Sequence, residues 1–192
     1  MNVTIPYKEQ VIKYLDGLDI SAQNVGAVNV IKFEKNGTKT GYNSDYYGFK
    51  QSLINYSNEI NFDLKNANAL VLGTGGAAKA VIAALKDLQI SYQIVSRDKS
   101  KANITYSELT DSIIQHSTLI INTTPLGTFP NIDECPGIPY QYLTDKHLLF
   151  DLVYNPEETL FMQNGKSYGA HSKNGLEMLH LQAEKAWEIW NT

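Results

Sequence analysis

The sequence predicts an α/β chain built on a doubly wound parallel sheet, with a second, incomplete α/β unit at its start. Three observations carry this expectation. From about residue 68 to residue 170, apolar runs alternate with helical stretches, which implies a parallel sheet with helices on both faces. The strand candidates are near-continuous apolar runs, such as Thr118-Leu119-Ile120-Ile121 and Leu148-Leu149-Phe150, as strands covered on both sides are. A glycine-rich turn, Leu72-Gly73-Thr74-Gly75-Gly76-Ala77-Ala78, joins an apolar strand to a helix.

Strands are expected at 69–73, 91–96, 118–122 and 147–153, and helices at 76–88, 107–116 and 157–164, with a short helical turn near 99–102. Ahead of them, Asn2 to Pro6 reads as a strand. Tyr7 to Leu18 reads as an amphipathic helix with Val11, Ile12, Leu15 and Leu18 on one face. Residues 28–33 and 38–42 flank Asn36-Gly37, a strong hairpin signal. A helix over about 45–59 then links the two regions. Residues 174–190 form a long helix with Leu176, Leu179, Ala183, Ala186 and Trp187 as its apolar positions. One strand, a helix and a hairpin bury little core by themselves. Residues 1–45 are therefore read as the remnant of one domain and 46–170 as the parallel-sheet domain. Residues 171–192 are read as a helix that packs back to complete the first.

The strand, glycine turn, helix and strand over 69–96 form the layout that seats a dinucleotide pyrophosphate on a helix N-terminus, a Rossmann-like arrangement. Gly73 permits the tight turn and Gly75, followed by Gly76, lets the backbone approach phosphates. Ala77 or Ala78 keeps the helix close to the strand. Such a glycine trio also occurs in plain βα turns, so the end of the second strand decides more. A binder of plain NAD usually carries Asp or Glu there, to take the ribose hydroxyls. Here Ser96 ends the strand, with Arg97, Lys99 and Lys101 beside it, which suits a 2′-phosphate and hence NADP(H). Asp98 pulls the other way: its carboxylate could repel that phosphate or accept from an NAD ribose.

The chain has 192 residues, a formal net charge of −4 and 43% hydrophobic residues. That length suits one ordinary domain, or one domain plus part of another. A mildly acidic chain without a long basic patch is a poor partner for nucleic acid or anionic membranes. No apolar run approaches the roughly 20 residues that span a bilayer, and no signal-peptide pattern is present. The single cysteine, Cys135, allows no internal disulfide and fits a reducing cytoplasm. His116, His147, His171 and His180 show no metal-ligand spacing, so no metal site is expected.

Several motifs in one order resemble the shikimate dehydrogenase family. They are Asn2-Val3-Thr4-Ile5-Pro6-Tyr7-Lys8-Glu9, Gly26-Ala27-Val28-Asn29, Gly41-Tyr42-Asn43-Ser44-Asp45 and the glycine turn. Asn122-Thr123-Thr124-Pro125-Leu126-Gly127, Asp151-Leu152-Val153-Tyr154-Asn155-Pro156 and Gly175-Leu176-Glu177-Met178-Leu179, with Gln182, continue the match along essentially the whole chain. The resemblance implies reduction of 3-dehydroshikimate to shikimate by NADPH, in the pathway to aromatic amino acids. It implies Lys8 and Asp45 as the acid/base pair, Lys8 acting directly, and Asn29 and Gln182 as ligands of substrate hydroxyls. Tyr154 and Gly175 would line the cleft near the nicotinamide, and Thr123, Thr124 and Pro125 would contact the dinucleotide. The chemistry fits: oxidising a secondary alcohol reversibly needs a hydride acceptor and a group that handles the hydroxyl proton. A lysine and an aspartate that meet can share that task, each shifting the other's proton affinity.

Taken singly, these residues have plainer roles. Lys8 would be a solvated lysine, Asp45 a helix cap, Asn29 a partner of backbone groups, and Arg97 and Lys99 ordinary loop charges. Only their coincidence in one order favours the site. The family also carries a stretch ahead of the segment seen here, with a Ser-x-Ser turn that holds the substrate carboxylate. Nothing in this chain supplies that turn, so weak substrate binding is expected. A strand edge left open would invite aggregation or pairing with another chain, a homodimer among the outcomes. Ser96-Arg97-Asp98 stands where the family usually shows Asn-Arg-Thr, and Ser44 replaces a usual Thr. A dual quinate/shikimate dehydrogenase and a nucleotide-binding module with little catalysis are the alternatives. A related enzyme of folate or tRNA-precursor metabolism would leave Lys8, Asn29 and Asp45 together unexplained.

Overall fold

Local turn chemistry builds the first sheet. The computed structural model describes residues 1–4 and 6–192. In it β1 (Gly17–Leu18), β2 (Val30–Phe33) and β3 (Lys39–Tyr42) make a small mixed sheet in the order β1–β3–β2. The β2–β3 hairpin turns through Asn36-Gly37, where the Asn36 carboxamide accepts from the Thr38 N–H at 3.0 Å. The expected strand over residues 2–6 is only a single antiparallel bridge, Asn2 with Val30, and Ile5 lies outside the described residues. Two helices grow from polar caps beside this sheet. Asp19 caps α1 (Ile20–Val25), a helix without a counterpart in the sequence expectations, and Asn43 caps α2 (Ser44–Glu59).

Residues 7–18 do not form the expected α-helix. Only Gln10–Tyr14 coil, as a 3₁₀ turn, and Leu15 is extended. Tertiary pairing outweighs the helical pattern. The Asp16 N–H donates to the Lys39 carbonyl at 2.9 Å, its carboxylate accepts from the Lys39 N–H at 2.7 Å, and Gly17-Leu18 then join β3. The apolar set still finds its place, because Val11, Ile12, Leu15 and Leu18 pack on Ala22, Val28 and Ile31.

Six strands form the main sheet, all parallel: β4 (Asn68–Leu72), β5 (Ser91–Ser96), β6 (Ile104–Thr105), β7 (Leu119–Asn122), β8 (Leu148–Asp151) and β9 (His171–Lys173). Their order, β6–β5–β4–β7–β8–β9, reverses direction at β4. Four further helices cover the faces: α3 (Gly76–Asp87), α4 (Asp111–His116), α5 (Leu160–Ser167) and α6 (Leu176–Asn191). Successive residues of β4 serve opposite cores. Ala69 and Val71 pack with Phe49, Leu53, Val81 and Phe150 under α2 and α3, whereas Leu70 and Leu72 pack with Ile114, Leu149 and Phe161 under α4 and α5. The alternation on a strand that is apolar throughout is why both faces are helix-covered.

Some boundaries move. The 107–116 helix splits into a 3₁₀ turn, Tyr106–Glu108, and α4, because Thr110 supplies a fresh N-cap. α5 starts at Leu160 rather than 157, where Thr159 caps it. The parallel sheet, expected to end by residue 170, continues to Lys173, since β9 bonds to β8 in the register Leu148–His171. β9 and β6 are too short to leave a periodic signature.

α2 and α6 tie the two sheets together. Phe49 and Leu53 of α2 lie in the main core, Phe49 edge-on to Phe150 with ring centroids 5.1 Å apart. Ala186 and Ile189 of α6 pack on Val30 of the small sheet, and the Trp190 indole N–H donates to the Ile31 carbonyl at 3.1 Å. The helices touch at Gly48, where a Cβ would stand 2.6 Å from the Met178 carbonyl oxygen and 3.0 Å from the Gln182 Cβ. Alongside, the Glu177 carboxylate accepts from Ser52, Asn55 and Lys173.

A buried polar knot holds the carboxyl ends of β7 and β8. Asp151, fully buried, accepts from Asn122 Nδ2 at 2.9 Å, the Val153 N–H at 3.0 Å and Thr159 Oγ1 at 2.6 Å. Asn122 Oδ1 in turn accepts from Thr124 N and Oγ1 at 3.0 and 2.6 Å. Burial outweighs these three donors and pushes the Asp151 carboxyl up to about 6.

Two outcomes are expected. Gly48→Ala should cost about 1–3 kcal/mol of stability through overpacking, more than the roughly 1 kcal/mol alanine gains in an ordinary helix. Urea denaturation checks it; a net gain would mean the helices separate freely. Asp151 binds its proton more tightly folded than unfolded, so its contribution to stability is greatest at acid pH and is lost as pH rises through about 6. Wild type should lose about 2 kcal/mol relative to Asp151→Asn between pH 4.5 and 7. Parallel stability curves for the two proteins would refute this.

Candidate active site

Two clefts open at the carboxyl edge of the main sheet, on either side of the α3 N-terminus. The first has a volume of about 520 Å³. Gly73 makes its floor at φ +110°, a conformation that favours glycine, and a Cβ there would meet Thr123 Oγ1 at 2.8 Å. Gly75 is the N-cap of α3 and provides no side-chain cap, so the first N–H groups of the helix are left for a ligand. Ser96 and Arg97 from the end of β5, and Thr123, Thr124, Pro125 and Leu126 after β7, form the walls with Thr74, Tyr106 and Gly137. Thr123 is fixed by its Oγ1 donating to the Leu72 carbonyl at 2.7 Å. A peptide-lined glycine cradle at a helix N-terminus, with a guanidinium at the far end, fits a dinucleotide phosphate chain.

The cations beside Arg97 are engaged elsewhere. Lys99 pairs with Glu108 at 2.6 Å. Lys101, 67% exposed, lies 3.4 Å from Asp98 and is not among the residues lining the cleft. Asp98 is turned into its own loop, accepting from Ser100 N at 3.0 Å and Oγ at 2.6 Å. These bonds hold its carboxyl below the usual range. Tyr106 lies close to Arg97: burial pushes its phenol up, and the guanidinium pulls it partly back. Its place in the cleft was not expected from sequence, since β6, which delivers it, is only two residues long.

The second cleft, about 350 Å³, lies between the small sheet, α2, α6 and the loop after β8. Lys8, from the turn before the 3₁₀ segment, meets Asp45 in the first turn of α2, with Nζ 2.6 Å from Oδ2. Their side chains are 21% and 18% exposed, half-sheltered yet open to a ligand. Asn43, not Asp45, is the helix cap: its Oδ1 accepts from the Tyr46 N–H at 3.1 Å, which leaves Asp45 free to face the cleft. Asn29 and Gln182 line the same space, joined through Ser44. Tyr154 and Gly175 form the side nearest the main sheet, where Gly175 presses on the Leu152 carbonyl and leaves no room for a Cβ.

The structure thus gathers Lys8, Asp45, Asn29, Gln182, Tyr154 and Gly175 in one cleft, and Gly73, Gly75, Ser96, Arg97, Thr123, Thr124 and Pro125 in the other. Ala77 lines the second cleft, two residues along α3 from Gly75 in the first, so the two open onto the same helix end. Gly76 begins α3 and, with Lys101, lines neither. Asn2, Val3, Thr4, Leu152, Met178 and Leu179 complete the second cleft. Thr4 and Met178 stand within recognised motifs, but nothing in their spacing marks them as lining residues. Among the described residues no group of three or more His, Cys, Asp or Glu could hold a metal, and no helix is long and apolar enough to cross a membrane.

Known proteins resemble this chain along most of its length. A family model for the shikimate dehydrogenase substrate binding domain matches residues 1–31. A shikimate dehydrogenase (NADP(+)) of Clostridium beijerinckii is 42% identical over 200 residues, spanning 99% of this chain and 71% of the relative. Among solved structures, a chorismate mutase/shikimate 5-dehydrogenase fusion protein from Clostridium acetobutylicum superposes with a TM-score of 0.86 at 40% identity, over 99% of this chain and 69% of that one. The shikimate 5-dehydrogenase of Thermus thermophilus, in complex with NADP(H) and shikimate, gives 0.82 at 28% identity, over 98% and 71%. With these identities along nearly its whole length, the chain belongs to the shikimate dehydrogenase family.

Proposed function

We propose that this chain catalyses the reversible, NADPH-dependent reduction of 3-dehydroshikimate to shikimate. The observation that carries the reading is the Lys8–Asp45 pair, 2.6 Å apart, in a cleft that shares the α3 N-terminus with a glycine-floored phosphate cradle. NADPH held by Gly73, Gly75, Thr123, Thr124 and Arg97 would supply the hydride. Lys8 gives a proton to the oxygen that gains negative charge at C3, and takes one back in the oxidation. Asp45 holds the Lys8 ammonium in place and offers its second oxygen to a neighbouring hydroxyl. Asn29 and Gln182 bind the remaining hydroxyl oxygens. Leu152, Met178 and Leu179 supply an apolar wall that keeps water from the reacting face.

Arg97 faces the cofactor cleft while Asp98 is spent on its own loop, which favours NADP(H) over NAD(H). Lys101 would join Arg97 at a 2′-phosphate only by leaving Asp98. Among the described residues lining the substrate cleft, Lys8 is the sole lysine or arginine and is already paired, so the substrate carboxylate finds no cation of its own. We place the enzyme in the cytoplasm with small molecules, not nucleic acid or membrane, as its partners, and a homodimer among the assemblies it can form.

The test is reduction of NADP⁺ and NAD⁺ with shikimate and then quinate, followed by absorbance of the reduced nicotinamide. Turnover with shikimate and NADP⁺ supports the reading, turnover only with quinate moves it to a quinate dehydrogenase, and tight NADP⁺ binding without turnover sinks it. Lys8→Ala should lose about 10²–10⁴-fold in turnover with NADP⁺ affinity intact; unchanged turnover would remove Lys8 from the chemistry. Arg97→Ala should weaken NADP⁺ binding by about 10–100-fold through loss of a charge-assisted contact. NAD⁺ affinity should stay the same, and equal losses for both cofactors would contradict a 2′-phosphate role.

A further inference from the structure

We propose that Ser44 is the positioning residue that turns both substrate carboxamides so that each presents an N–H to the cleft. The inference deepens the reading of that cleft as the substrate site and rests on it. Ser44 is fully buried and does not line the cleft, so it cannot touch the substrate itself. It sits at the first residue of α2, between Asn29 and Gln182.

Backbone groups fix both ends of the chain of bonds. The Ser44 N–H donates to Asn29 Oδ1 at 2.7 Å; an N–H cannot accept, so the Asn29 amide is held with its oxygen there. At the far end Gln182 Nε2 donates to the Leu179 carbonyl at 3.0 Å; a carbonyl cannot donate, so Gln182 cannot be flipped either. The Ser44 hydroxyl joins the two. It accepts from Asn29 Nδ2 at 3.0 Å and passes its own proton to Gln182 Oε1 at 3.3 Å, in preference to the longer contact with Asn29 Oδ1 at 3.4 Å. Each amide has thereby spent its oxygen and one N–H inside the protein, and one N–H remains. Both residues line the cleft.

The polarity offered to a ligand follows. Lys8 contributes ammonium N–H groups beyond the one bound to Asp45 Oδ2, and Asp45 Oδ1 is the carboxylate acceptor beside them. Three donor side chains facing one acceptor oxygen match adjacent oxygens that bring lone pairs and at least one hydroxyl proton: a vicinal diol, or a hydroxyl next to a ketone. Without the Ser44 hydroxyl, Gln182 Oε1 and one Asn29 N–H lose their partner. The Ser44 N–H and the Leu179 carbonyl still set which end of each amide points inward, but each amide is left with one anchor instead of two, and its free N–H loses its fixed direction toward the cleft.

The experiment compares wild type, Ser44→Ala and Ser44→Thr in two readouts: the side-chain amide resonances of Asn29 and Gln182 in ¹⁵N-labelled protein, and steady-state kinetics with shikimate and NADP⁺. Ser44→Ala should shift both amide pairs and raise KM for shikimate by about tenfold, the loss of one to two buried hydrogen bonds, with kcat and NADP⁺ affinity kept. Ser44→Thr, which keeps the hydroxyl, should restore KM. An unchanged KM or unmoved amide resonances in Ser44→Ala would overturn the proposal. So would a loss spread equally over shikimate and NADP⁺, since a general structural defect would do that. If wild type turns over neither shikimate nor quinate, the functional reading fails, and the amide resonances alone then decide the role of Ser44.

Discussion

The close crossing of α2 and α6 at Gly48 sets the distances on which the rest depends. α2 starts at the substrate cleft with Ser44 and Asp45 and runs into the main core with Phe49 and Leu53. α6 starts beside the main sheet, delivers Met178, Leu179 and Gln182 to the cleft, and ends on the small sheet. With no side chain between them at Gly48, neither helix can slide without losing contact along a whole face. Glu177 reinforces the contact by collecting Ser52 and Asn55 from α2 and Lys173 from β9. Asp45 and Gln182 are thus held by two helices that also hold the sheets together.

Polar burial does a second kind of positioning at the sheet edge. A carboxylate removed from water is costly, and three donors offset only part of that cost at Asp151, as its raised affinity for a proton shows. In return, the loops that carry Thr123, Thr124 and Tyr154 leave β7 and β8 in one direction. Asp98 illustrates the opposite use of a carboxylate. It is exposed and spent on capping a 3₁₀ turn, and that local bond removes it from the cofactor's path.

The parallel sheet was legible because strands buried on both faces cannot hide their apolar runs, and the hairpin because Asn36-Gly37 admits few alternatives. What escaped was decided by distant partners. Residues 7–18 carry a helical pattern, yet Asp16 bonds to Lys39 and the chain straightens; β1, β6 and β9 are two or three residues long and exist only through the strands they join. α1 escaped for another reason: six residues after Asp19 give a cap signal but little periodicity. In the site, Lys8, Asn29, Asp45 and Gln182 came from motif order, since each alone resembles an ordinary surface or capping residue. Tyr106 had no motif to carry it. Ser44 was visible only as a hydroxyl replacing another hydroxyl, because its significance lies in whom it bonds, not in what it is.

The bond from Trp190 to Ile31 joins residues 159 positions apart. The main sheet is assembled from neighbours in sequence order around β4, and much of it can form while a nascent chain is still growing. The small sheet has no such independence: its Val30 face is closed by Ala186 and Ile189, which are made last among its partners. Until α6 has been synthesised, β2 would show an apolar face to every other chain nearby. The cleft floored by Gly73 can therefore take shape before the one that holds Lys8 and Asp45 during biosynthesis, and the interval between them is when a chaperone would matter most.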